Sequence, residues 1–221
     1  GIVEIETEGN EVILTPLKLG KVTVHANIKE GDREFDAQRE FTIEEKAGIV
    51  TEIGPQVETI RTNMWDIGKD DKGRNVGYTV VAGLPAKFYV CDLETGDVLE
   101  TYELTDDKGN FSQGAWEIKT VSDGTVYIGG YNLGVLYSYS PKTHEFKAIG
   151  APLAGYNPIL LQICETEKGT IFGGSTGTGS LYEYNPETNE FKNHGQLVPK
   201  SDIIRGIAYD KDTKRLYAGV T

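Results

Sequence analysis

The sequence predicts an all-β protein built on a repeated unit of short strands. Three observations carry this expectation. The segment Gly124–Thr125–Val126–Tyr127–Ile128–Gly129–Gly130 returns as Gly169–Thr170–Ile171–Phe172–Gly173–Gly174. The segment Leu136–Tyr137–Ser138–Tyr139–Ser140–Pro141 returns as Leu181–Tyr182–Glu183–Tyr184–Asn185–Pro186, and Phe146 and Gly150 return as Phe191 and Gly195. The copies of the second segment lie about 45 residues apart. Composition agrees: 27 glycines, 12 tyrosines and one methionine favour strands and tight turns over helices.

The elements follow in chain order. Residues 1–45 alternate in period two through Ile2, Val3, Ile5, Val12, Ile13, Val22, Val24, Phe35, Phe41 and Ile43. Turn signals at Glu8–Gly9–Asn10, Leu19–Gly20 and Gly31–Asp32 divide them into an antiparallel meander. Residues 46–55 form a linker where the pattern changes.

From there the repeat takes over. One copy reads as strands A to D at residues 115–120, 125–129, 135–140 and 145–148. The next reads as 160–165, 170–174, 180–185 and 190–193, and a last one begins at 204–209 and 215–219. A more diverged copy precedes them at 78–83, 88–92 and 95–99. The C–D turns Asp92–Gly96, Ser140–His144 and Asn185–Asn189 each open on a short polar residue. Each ends on Gly, His or Asn, where a positive φ is expected. Short strands at this period are the signature of β-propeller blades. Residues 56–221 are therefore expected to hold about three blades and a start. Propellers usually close with four to eight blades, so the chain is expected to be a piece of a longer protein, with blades after Thr221.

Two resemblances rest on these residues. Gly20-Lys-Val-Thr-Val-His-Ala26 and Phe41-Thr-Ile43 resemble late strands of bacterial Ig-like domains. Residues 1–45 then look like the C-terminal half of such a sandwich. The Gly-x-Leu-Tyr-x-Tyr-x-Pro-x-Thr pattern resembles the PQQ-like, WD40-like and Kelch-like propellers, and looks closest to bacterial extracellular propellers. That resemblance implies a cell-surface or extracellular setting beside carbohydrate-active proteins. It fixes a fold and no chemistry.

Composition excludes some functions. A net charge of −12 argues against nucleic acid and against anionic lipid. No apolar stretch is long enough for a membrane-spanning helix. Cys91 and Cys164 stand at non-equivalent repeat positions and are not expected to pair. Asp66, Asp70, Asp71 and Asn75 flank a Gly-containing loop but lack the EF-hand order. No metal and no cofactor is expected. Ser175-Thr-Gly-Thr-Gly-Ser180 precedes a strand rather than a helix, so it reads as a loop and not a phosphate cradle.

Ligands of propellers are expected on the face made by B–C loops (130–134, 175–179) and D–A loops (106–114, 151–158, 196–202). The contact candidates are Gln113, Trp116, Tyr131, Asn132, Tyr156 and Asn157, with Asp202 and Arg205 opening the last strand A. Aromatic faces stack on sugar rings, amides bond hydroxyls, and an Arg clamps a carboxylate. A lyase would need a base and a carboxylate-neutralising group, for which His194 or Tyr156 with Arg205 are the candidates. The leading expectation is non-catalytic, carbohydrate-associated binding. The alternatives are a polysaccharide lyase or glycosidase, and a protein-binding scaffold or adhesin.

Overall fold

A computed structural model describes residues 2–8, 11–30, 33–44, 61–153 and 158–221. The 46–55 linker lies outside the described residues. The chain divides into two units, Gly1–Gln56 and Val57–Thr221.

In the first unit, β1 (Val3–Glu8) pairs with β2 (Glu11–Pro16), and β3 (Gly20–Glu30) pairs with β4 (Arg33–Ile43), all antiparallel. These are separate two-stranded sheets, where the sequence led us to expect one meander. The reason is local. Pro16 ends β2 without a backbone donor. The next N–H groups, of Leu17 and Lys18, both donate to the Ile2 carbonyl. Gly20 then turns the chain at φ 139°, a conformation that favours glycine. Period two survives in β3, where Val22 and Val24 are half-buried and Lys21, Thr23 and His25 are exposed.

The second unit is a row of antiparallel sheets. Its first is β5 (Thr62–Lys69), β6 (Asn75–Val81), β7 (Lys87–Asp92) and β8 (Val98–Glu103). The second is β9 (Gly114–Thr120), β10 (Val126–Tyr131), β11 (Leu136–Ser140) and β12 (Glu145–Gly150). The third is β13 (Ile159–Glu165), β14 (Ile171–Thr176), β15 (Ser180–Asn185) and β16 (Glu190–Gln196). A two-stranded sheet of β17 (Ile204–Asp210) and β18 (Arg215–Val220) follows. The A strands stand side by side, β9 between β5 and β13, and β13 between β9 and β17. This is the blade arrangement of a propeller. The first blade starts earlier than the diverged copy suggested, because β5 supplies its strand A.

Apolar residues of adjoining blades make the core. Val76, Tyr78 and Phe88 meet Ile128, Tyr137 and Tyr139 between the first two blades. Tyr127 and Leu136 meet Ile171, Tyr182 and Tyr184 between the next two. The Leu-Tyr-x-Tyr repeat is thus an interblade packing motif, with both tyrosines aimed at the preceding blade. The turns behave as their residues require: Gly96, His144 and Asn189 have φ of 79°, 56° and 54°. Cys91 and Cys164 are free thiols.

Carboxylates tie blades together at the surface. Asp66, on β5, accepts the Thr120 N–H at 2.6 Å, and Glu165 accepts the Ser122 N–H at 2.9 Å. Asp70 instead caps its own turn and pairs with Arg74 at 2.7 Å. Glu100 accepts from the hydroxyls of Tyr102 at 2.5 Å and Tyr139 at 2.9 Å, and from His144 Nδ1 at 2.7 Å. Burial raises the Glu100 carboxyl, but these three bonds hold it below its ordinary value. Tyr139 is fully buried. Glu100→Ala would leave its hydroxyl without that acceptor, at a cost of about 1–3 kcal/mol. Urea denaturation of the variant against the parent checks this, and an unchanged midpoint contradicts it.

Candidate functional site

The B–C and D–A connections gather at one end of the blades. The D–A connection after β8 crosses the B–C loop of the first blade, where Ala86 N–H donates to Ser112 O at 2.9 Å and Gly83 N–H to Gln113 O at 3.1 Å. It then reaches the second blade, where Gln113 N–H donates to Tyr131 O at 3.3 Å and to Asn132 Oδ1 at 3.1 Å. Gln113 is therefore held by its backbone on both sides.

Between these loops lies a cleft of about 410 Å³ lined by Arg61, Asn63, Ala82, Gly83, Leu84, Gln113, Gly114, Trp116 and Tyr131. Trp116 enters it through a β-bulge. Ala115 pairs with Gly130 and Glu117 with Gly129, so Trp116 is the extra residue of β9. A bulge re-aims a side chain at a sheet rim. Trp116 keeps 38% of its surface exposed. β17 is bulged at the equivalent place, where Arg205 falls between Ile204–Val220 and Gly206–Gly219. In β13 the bulge lies one residue further along, at Gln162, whose φ is 42°.

The structure brings together three of the residues singled out from sequence: Gln113, Trp116 and Tyr131. Asn132 does not line the cleft. Its side-chain oxygen is spent on the Gln113 N–H, and it sits at φ 71°. Tyr156 and Asn157 lie outside the described residues. Asp202 is exposed, and its carbonyl accepts the Gly179 N–H at 2.8 Å. Arg205 is exposed and does not line the cleft.

His194 needs a correction. Strand D runs on to Gln196, past the expected end at residue 193, so His194 lies within β16 rather than between it and the loop. Its Nε2 meets Glu183 Oε2 at 2.7 Å, and its ring lies 5.8 Å from Phe172. That places it among the strands of its own blade and away from the cleft lining. No cluster of metal-ligating side chains occurs among the described residues.

Arg61, Asn63 and Leu84 are cleft residues that sequence reasoning missed. They belong to the first blade, whose strand A was not delineated. A signal existed: Trp65-Asp66-Ile67 repeats as Trp116-Glu117-Ile118.

No family model and no curated protein matches the chain. Solved propellers do match in shape. Virginiamycin B lyase from Staphylococcus aureus matches 90% of the chain and 53% of its own, at 14% identity and a TM-score of 0.55. The β-propeller domain of Cps50 (Swd1) from Myceliophteria thermophila matches 84% and 61%, at 8% identity and a TM-score of 0.52. The WD40 β-propeller domain of Doa1 matches 72% and 47%, at 12% identity and a TM-score of 0.50. The chain thus spans about half the length of these three propellers. At these identities the likeness is one of fold: this is a β-propeller-type, all-β chain.

Proposed function

We propose that the chain is a non-catalytic binding module for carbohydrate, acting at the bacterial cell surface through the Trp116 cleft. One observation carries the reading. Among the described residues, the cleft lining joins two aromatic rings and two side-chain amides, and holds no carboxylate, imidazole, thiol or amine. Aromatic faces with convergent amides suit a sugar ring and its hydroxyls. A glycosidase needs two carboxylates, and the described residues of the lining include none. The lyase candidates singled out from sequence, His194 and Arg205, do not line the cleft. A lyase would have to draw its base and neutralising group from Tyr131 and Arg61, and the product assay below decides between that and binding.

The setting is part of the same reading. We take residues 1–45 as part of an Ig-like sandwich, supported by the alternation of β3 and the Gly20 turn. Among the described residues no helix is long and apolar enough to cross a membrane.

A glycan array followed by calorimetry on the best binder tests the proposal. Trp116→Ala is expected to weaken binding by roughly tenfold or more, since a central aromatic anchor dominates such contacts. The partly exposed side chain leaves the fold intact, which circular dichroism checks. Release of an unsaturated product would instead favour the lyase. Binding to no glycan would favour a protein partner.

A further inference from the structure

We propose that the cleft selects a sugar ring bearing an anionic group, a carboxylate or a sulfate ester, and that Arg61 clamps that group. The inference rests on the binding reading above.

It starts from charge. The chain carries 34 acidic residues and a net charge of −12, yet among the described residues no acid lines the cleft. Among the described residues, Arg61 is the one cation of the lining. Three of the described lysines and arginines pair with carboxylates: Lys21 with Glu40 at 3.0 Å, Arg74 with Asp70 at 2.7 Å and Lys147 with Glu145 at 2.8 Å. Arg61 has no such partner among the described residues. Its backbone is nonetheless fixed, because its carbonyl accepts the Ala82 N–H at 2.9 Å. The guanidinium thus stands on an anchored strand start at the cleft, with no carboxylate partner among the described residues.

The neighbours extend the argument. The side-chain amides of Asn63 and Gln113 also lack partners among the described residues, and the Gln113 backbone is tied on both sides. These amides supply donors and acceptors for ring hydroxyls, while Trp116 and Tyr131 offer the ring a face. A guanidinium presents a planar fork of donors that matches a carboxylate or sulfate in two parallel hydrogen bonds. The overall negative charge does not forbid this. At physiological salt, charges beyond about 8 Å are largely screened, so the local cation governs.

Calorimetry on the full chain tests it with three probes: oligogalacturonate, the same oligomer with its carboxyls reduced to alcohols, and a sulfated galactan oligosaccharide. At least one anionic probe is expected to bind roughly tenfold tighter than the reduced one, the worth of a charged hydrogen bond. Arg61→Gln should collapse that ratio towards one, and Arg61→Lys should keep part of it. Which anionic probe wins tells carboxylate from sulfate. Equal binding of all three, with a ratio that Arg61→Gln does not move, overturns the clamp and leaves the binding reading standing. Failure of every probe to bind, with Trp116→Ala silent, removes the binding reading and the clamp together.

Discussion

Gly173→Ala is expected to lower the stability of the propeller unit by about 3 kcal/mol, read from the urea midpoint. A Cβ at Gly173 would lie 2.1 Å from both Cζ and Oη of Tyr182 and 2.5 Å from Cε1. No carbon tolerates such a contact, so the ring would have to leave. Tyr182 is fully buried in the core between the second and third blades, among Leu136, Leu160 and Ile163. Its departure costs buried aromatic area and opens a void. Gly169→Ala is the control. It has φ 76° and nothing within 4 Å of an added Cβ, so only backbone strain of about 1–2 kcal/mol applies. Combining Gly173→Ala with Tyr182→Leu should cost less than the two changes summed, because the second removes the clash. Simple additivity would show that the ring is not what Gly173 accommodates.

This glycine also shows how much was legible in the chain. The Gly–Gly pairs of the repeat looked like one motif, but the strand register separates them. Ile128 pairs with Tyr137 and Gly173 with Tyr182, so Gly173 stands where the previous blade has isoleucine. The true equivalents are Gly129 and Gly174. Their added Cβ atoms would strike Leu160 O and Ile204 Cβ on the next strand A, at 2.8 and 2.7 Å. Sequence identity found the blades, and only packing explained the residues.

The same limit governed the cleft. Gln113, Trp116 and Tyr131 were legible because blade boundaries name the loops at the ligand end. Arg61 and Asn63 were not. Trp65 and Trp116 are about 50 residues apart rather than about 45, so the first strand A falls out of step with the repeat. Asn132 has the right chemistry for a ligand contact, yet a backbone N–H claimed it first. His194 was singled out by residue type as a candidate base, and the structure sets its ring against Glu183 of the neighbouring strand.

Glu117→Gln is expected to stabilise the protein above pH 7 and to leave it nearly unchanged below pH 4.5. Glu117 is 6% exposed, and its Oε2 accepts from Gln162 Nε2, across the blade junction, at 3.1 Å. Burial pushes its carboxyl up from 4.5 to about 7; the Asp66 charge adds to this, while Lys119 and the hydrogen bond oppose it. Between those values the folded protein binds the proton that the unfolded chain releases. Stability therefore falls as pH rises through that window, and the whole cost is in place above it. The gap corresponds to roughly 3 kcal/mol. Glutamine keeps the size and the acceptor for Gln162 but cannot ionise. Its advantage should thus grow from near zero at pH 4.5 to a plateau above pH 7, measured by urea denaturation across the range. His144 slopes the same way. Glu100 and Asp71 raise its pKa above 6.5, so its contribution is present below that value and is lost as pH rises through the folded value. Because His144 titrates alike in parent and variant, the difference between them isolates Glu117. An advantage independent of pH would mean that the charge of Glu117 is not what the fold resists.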